Sequence, residues 1–347
     1  MTPLPWHRDV LARFLAQRER LPHALLVHGP AGVGKAEFVR ALAASVLCER
    51  PRDGLACGEC DSCRWFSQGN HPDYREIVPE AAAEDRGRGG SRESEEGEAE
   101  APQSDKAKSL VIKVDQIRDV ADFVALSTHR GGYRVLAIHP AEALHAAAAN
   151  ALLKTLEEPP PASLVVLAAD NPARLLPTLA SRCRRLALGA PAREPALAWL
   201  RAEGVADPER ALDNAAGAPL LARSLATPEE SELRRRVLAE LAKPGGADTL
   251  AFAPAIERGN LERFVFWMQT WVHDLVRARL AGEVRHHPDF DAALRRRAQA
   301  SDLQALLDLD RSLSDARGLA SHPLNARLVA EHLLMAYNRA TIMHSRQ

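Results

Sequence analysis

Gly29-Pro30-Ala31-Gly32-Val33-Gly34-Lys35 has the spacing of a phosphate-gripping loop, G-x-x-x-x-G-K, but Ala36 stands where that pattern calls for Ser or Thr. Backbone N–H groups in such a loop cradle phosphates, and Lys35 would reach the terminal ones. Ala36 has no hydroxyl to hold Mg²⁺. The acid that a hydrolysing site places at the tip of a second strand is also missing, because Arg134–Ile138 runs into His139-Pro140-Ala141-Glu142. His139 is a poor ligand for a hard cation, Pro140 offers none, and Glu142 comes two positions late. The residues fit a loop that grips without turning over; a working site with an unusual metal shell is the rival reading.

A second constellation follows at once. Cys48, Cys57, Cys60 and Cys63 give C-x8-C-x2-C-x2-C. Tight C-x2-C spacing lets thiolates converge from short turns, and four soft sulfurs suit tetrahedral zinc in a closed, structural site. Redox chemistry and an iron–sulfur cluster are the alternatives. Cys183 stands apart and reads as a small buried residue.

The elements that must position these residues alternate. Ala24–Val27 is an apolar strand entering the loop, and Phe38, Val39, Leu42 and Val46 mark the helix leaving it. A helix from Val114, the strand Arg134–Ile138, a helix over 143–158 stopped by Pro159-Pro160-Pro161, the strand Leu164–Ala168 and a last strand Leu186–Leu188 follow. This alternation predicts an α/β domain with a parallel sheet covered on both faces. Residues 80–108 hold no aromatic residue and, Pro102 apart, nothing apolar larger than Ala, so a flexible acidic insertion is expected there. From about Ala190 the pattern is helical throughout: short helices at 194–202, 207–216 and 219–225, then longer ones at 231–241, 261–280, 289–313 and 324–342. Trp267 and Trp271, four apart in an amphipathic run, read as packing rather than as a base-stacking platform.

Composition sets the bounds. At 347 residues, 46% hydrophobic and 26% charged, the chain can build two or three well-filled domains. A formal net charge of −1 leaves nucleic-acid contact to local patches, with Arg130 and Arg134 as candidates that the sequence alone does not assign. Without an apolar signal segment or a run of about 18 apolar residues, a cytoplasmic protein is expected, its cysteines ligands or free thiols.

Taken in order, these pieces resemble the delta prime subunits of bacterial DNA polymerase III clamp loaders, a family within the AAA+ proteins. The resemblance is carried by His23-Ala24-Leu25-Leu26 before the loop, the four-cysteine module after its helix, and Val114-Asp115-Gln116-Ile117-Arg118. Ala149–Pro160, Ser181-Arg182-Cys183 and Leu324–Leu334 complete it. It implies an AAA+ P-loop domain at 1–188 with a zinc module at 48–63, a three-helix lid at 189–227, and a helical collar at 228–347 for ring assembly. It implies a subunit without ATPase activity of its own, partnered in a hetero-oligomeric ring by gamma or tau motors and by delta, acting on the sliding clamp and primed DNA. Arg182 would be an arginine finger donated to the neighbouring motor's ATP site, where a guanidinium stabilises charge on the γ-phosphoryl. Leu220 stands where motor relatives carry a sensor arginine, a third departure from hydrolysis. Nucleotide binding at Gly29, Gly32, Gly34 and Lys35 stays open. The competing readings are a gamma-like motor that hydrolyses ATP, favoured by the intact Gly34-Lys35, and a zinc-dependent DNA-binding module, opposed by Glu49, Glu59 and Asp61 around the cysteines.

Overall fold

Strand β1 (Ala24–His28) is buried along its apolar length, as a central strand of a parallel sheet must be. In the computed structural model, which describes residues 2–82, 109–125, 132–319 and 325–341, it lies between β4 (Ser163–Ala169) and β5 (Arg184–Ala187). The five strands run in the order β2-β3-β4-β1-β5, where β2 is Tyr74–Ile77 and β3 is Arg134–Ile138, and every pairing is parallel. The chain divides into two compact units, Met1–Pro195 and Ala196–Gln347.

Alternation along the strands fixes two faces. Ala24, Leu26, Leu136, Ile138, Val165 and Leu167 share one core with Ile117, Leu152, Leu156 and Leu179. These come from helices α4 (Val114–Ala125), α5 (Ala146–Glu157) and α6 (Pro177–Arg182). Leu25 and Val27 point the other way, to the side where α2 (Lys35–Leu47) packs across β1, β3 and β4. A short helix, α1 (Arg8–Leu15), precedes them, and α3 (Asp61–Ser67) follows α2.

Three local readings change. Strand β2 has no counterpart in the apolar pattern, because Tyr-Arg-Glu-Ile is an edge strand with one partner and polar positions facing out. Strand β5 starts two residues earlier than expected and carries exposed Arg184 and Arg185 on the opposite edge. Helix α5 begins at Ala146 rather than 143, since Nδ1 of His145 caps it by accepting the Ala147 N–H (3.3 Å) after a turn of 3-10 helix at Ala141–Ala143. The predicted insertion lies outside the described residues beyond Ala82. Glu80, placed at its start, instead accepts the Ser109 N–H (3.3 Å) and pairs with Lys113 (2.9 Å). Leu324 also lies outside.

From Arg193 onward the described residues are helical, with Arg193–Ala202, Pro208–Asn214 and Pro219–Leu225 followed by Pro228–Leu241, Leu261–Ala281 and, at the C-terminal side, Ala326–Thr341. The helix expected at 289–313 is broken. It forms as Asp291–Ala300 and Leu303–Leu319, because Asp302 starts a new helix by accepting the Ala305 N–H (2.7 Å). Trp267 and Trp271 are wholly buried, and Nε1 of Trp271 donates to the Tyr337 hydroxyl (3.0 Å). Beside them Asp274, also wholly buried, accepts the backbone N–H groups of Arg285 (2.9 Å), His286 (3.0 Å) and His287 (2.8 Å). Asp274→Ala would strand the His286 and His287 donors away from water, at about 1–3 kcal/mol each. A fall in unfolding free energy of roughly 2 kcal/mol or more is expected from these two, read from urea melts of the purified chain.

No helix among the described residues is long and apolar enough to cross a membrane.

Candidate functional site

The phosphate-type loop sits at the carboxyl end of β1, where open α/β sheets place their ligands. Two of its glycines are held by packing. A Cβ on Gly29 would lie 1.9 Å from the Leu188 carbonyl oxygen. Gly34 adopts φ +95°, and a Cβ there would lie 2.5 Å from the Leu4 side chain and 3.0 Å from His7. The segment before α1 therefore lies on the loop, and Nε1 of Trp6 donates to the Val33 carbonyl (3.0 Å). Burial pushes the His7 pKa down to about 4. Sequence reasoning missed this cover, because Pro-Trp-His has no spacing rule linking it to a loop 27 residues on.

Lys35 is the decisive side chain. It is only 4% exposed, and its ammonium donates to the carbonyls of Gly29 (2.8 Å) and Pro30 (2.7 Å) and pairs with Asp170 (2.5 Å). An ammonium has three donors, and three acceptors take them. A terminal phosphate would have to displace one. Asp170 follows β4 directly, an acid at the end of an apolar run whose pairing with Lys35 no spacing in the sequence announces. Glu142, read as too late in the chain to serve, does turn back toward this end of the sheet. Its Oε1 accepts the Asn171 N–H (2.7 Å), and burial, with the Asp170 charge nearby, pushes its pKa up. Among the described residues, only the four cysteines bring three or more His, Cys, Asp or Glu ligand atoms together. Lys35→Met would leave two carbonyls short of a donor, and a loss of about 1–3 kcal/mol in urea unfolding is expected.

The cysteine cluster is assembled by the end of α2 and the start of α3. All four Sγ atoms lie within 4.8 Å of one another, with Cys48–Cys60 at 3.9 Å and Cys57–Cys63 at 4.0 Å. Sulfurs about 2.3 Å from a tetrahedral zinc stand about 3.8 Å apart, so the donor set fits that ion. Backbone N–H groups point at the sulfurs: Cys57 to Cys48 (3.3 Å), Cys60 to Cys57 (3.4 Å) and Cys63 to Cys60 (3.4 Å). Such donors stabilise thiolate charge, and those of Glu59 and Cys60 pull the Cys57 pKa down to about 6. Burial pushes Cys63 up to about 12. None of the five cysteines is disulfide-bonded. Nearby, Arg52 pairs with Glu59 (2.6 Å), so the surface beside the cluster is mixed in sign.

Arg182 ends α6, with its side chain 36% exposed. Cys183, the next residue, turns into the core, where burial pushes its pKa up to about 11. That inward anchor fixes the outward arginine. One terminal nitrogen of Arg182 donates to the Thr178 carbonyl (2.9 Å) and the other to Oε1 of Glu157 (2.6 Å), the last residue of α5. Arg134, a candidate for nucleic-acid contact, is withdrawn from that role. It is 7% exposed, pairs with Asp73 (3.5 Å) and lies over the Phe123 ring. Arg130 lies outside the described residues.

Residues 8–192 match the family described as DNA polymerase III, delta subunit. The DNA polymerase III subunit delta' of Pseudomonas aeruginosa is 35% identical over 283 residues, covering 80% of this chain and 78% of that one. The chain belongs to the DNA polymerase III subunit delta' family. The Escherichia coli delta' subunit is 31% identical over 320 residues, 87% of this chain and 86% of its own. A shorter likeness, 34% over 171 residues, reaches the E. coli tau subunit across 49% of this chain and 22% of tau.

Proposed function

We propose that this delta' family member is the non-hydrolysing stator subunit of the clamp loader of a cytoplasmic DNA polymerase III holoenzyme. In this reading it completes a hetero-oligomeric ring with gamma or tau motors and delta, and donates Arg182 to a neighbouring motor's ATP site while the sliding clamp is loaded onto primed DNA. The observation that carries it is the pairing of a saturated Lys35 with an exposed Arg182. Lys35, the cation placed to grip this chain's own nucleotide, is fully engaged, and Arg182, suited to another chain's phosphate, faces outward. Ala36 and the His139-Pro140 that follow β3 support the same division. Residues 189–227 would serve as the lid and 228–347 as the collar, whose buried Trp267 and Trp271 stiffen the helices that assemble the ring. Cys48, Cys57, Cys60 and Cys63 would hold a structural zinc, which supplies cross-linking and no chemistry to the reaction, since four thiolates fill its coordination shell.

The test is ATP turnover by the purified chain and by a reconstituted loader. No turnover is expected from the chain alone. Robust turnover that Lys35→Ala abolishes would replace this reading with that of a gamma-like motor, the alternative that the likeness to tau keeps in view.

A further inference from the structure

We propose that Glu157 is a positioning residue for Arg182, holding the guanidinium ready for a phosphate on the neighbouring subunit. The inference rests on the reading of Arg182 as a trans-acting finger and deepens it. An exposed arginine on the last turn of a helix samples many rotamers, and one that must meet a phosphate in a fixed place loses rate to that freedom. Here two acceptors on the same chain fix it from different directions. The Thr178 carbonyl belongs to the arginine's own helix, and the Glu157 carboxylate to the end of α5. The two bonds use two of the five guanidinium N–H donors, which leaves three for an incoming anion.

The strength of the contact matters as much as its geometry. The side chain of Glu157 is 51% exposed and that of Arg182 36%, so the pair is screened and weak. A weak pair biases the side chain without trapping it, which suits a group that must also bind elsewhere. Glu157 also closes the helix that Pro159 and Pro160 stop, so its carboxylate is placed by the chain's own punctuation.

The experiment is steady-state ATP turnover of the reconstituted loader carrying wild-type chain, Arg182→Ala, Glu157→Ala, Glu157→Gln, or the double alanine variant. Glu157→Ala is expected to lower the Arg182-dependent part of kcat roughly two- to fivefold, the scale of an exposed ion pair, with KM for ATP unchanged. Glu157→Gln, whose amide oxygen still accepts, is expected to recover most of it. In the double variant the Glu157 effect is expected to vanish, because it acts only through Arg182. Three results overturn the proposal while leaving Arg182 as the finger. These are an unchanged rate in Glu157→Ala, a raised rate showing that the carboxylate restrains the arginine instead, or a Glu157 effect that persists without Arg182. If Arg182→Ala itself leaves turnover intact in assembled loader, the underlying reading fails, and that outcome is distinct from the other three.

Discussion

Alanine at Arg182 is expected to lower the DNA- and clamp-stimulated ATP turnover of a reconstituted loader by at least the share of one motor site. An arginine finger supplied in trans is worth roughly 10³–10⁵ in rate at the site it enters, so that site should fall silent. A loss greater than one share would mean that the motors fire in a coupled order. Folding cannot account for such an effect. Among the described residues the bonds removed are an exposed ion pair and one bond to an exposed carbonyl, together about 1 kcal/mol of stability. Lysine at the same position keeps the charge but loses the planar fork, and little recovery is expected from it. Size measurement of the complex separates loss of the finger from loss of the ring. Unchanged turnover in intact ring would make Arg182 structural and return attention to this chain's own phosphate loop.

How far the sequence speaks depends on how far apart the cooperating residues lie. The phosphate loop and the four cysteines are each confined to a short segment, so spacing alone exposes them, and the structure brings the sulfurs together as that spacing requires. The central strands were legible for a related reason: strands buried on both faces are apolar runs, as Ala24–Val27 and Leu164–Ala168 are. What decides the state of Lys35 was not legible. Asp170 reaches it only because β4 pairs beside β1, a neighbour relation set by sheet order and not by proximity in sequence. The pairing of Glu157 with Arg182, 25 residues on, likewise depends on how α5 and α6 pack. Edge elements escaped for the opposite reason, since β2 buries too little to leave an apolar signature. The broken helix at Ser301-Asp302 shows capping chemistry overriding a continuous apolar period. An aspartate three residues before an accepted N–H restarts the helix without interrupting the stripe.

Removal of metal is expected to unfold the 48–63 module while sparing the sheet. The module has almost no core of its own, since its buried cluster is Cys48, Cys60 and Cys63, with Ala56 and Cys57 against it. So few apolar atoms cannot offset the ordering of about sixteen residues, each costing about 1–2 kcal/mol in backbone entropy. A bound ion supplies what is lacking, on the order of 10 kcal/mol in small four-ligand sites. The core on the Leu26 face of the sheet does not include the cysteine cluster, so β1, β3 and β4 should persist. The measurement is hydrogen exchange of the purified chain as isolated, after chelation, and with Cys60→Ser. Bound zinc near one per chain is expected only in the first. Protection should be lost across 48–67 in the other two, with the amides of Leu26, Leu136 and Val165 unchanged. Ligation needs thiolates, so acidification should release the ion as protons compete for the sulfurs. Full protection of the module in metal-free protein would show that its hydrogen bonds, such as Ser62 to Leu47 (2.7 Å) and Ala56 to Ser45 (3.1 Å), suffice without an ion.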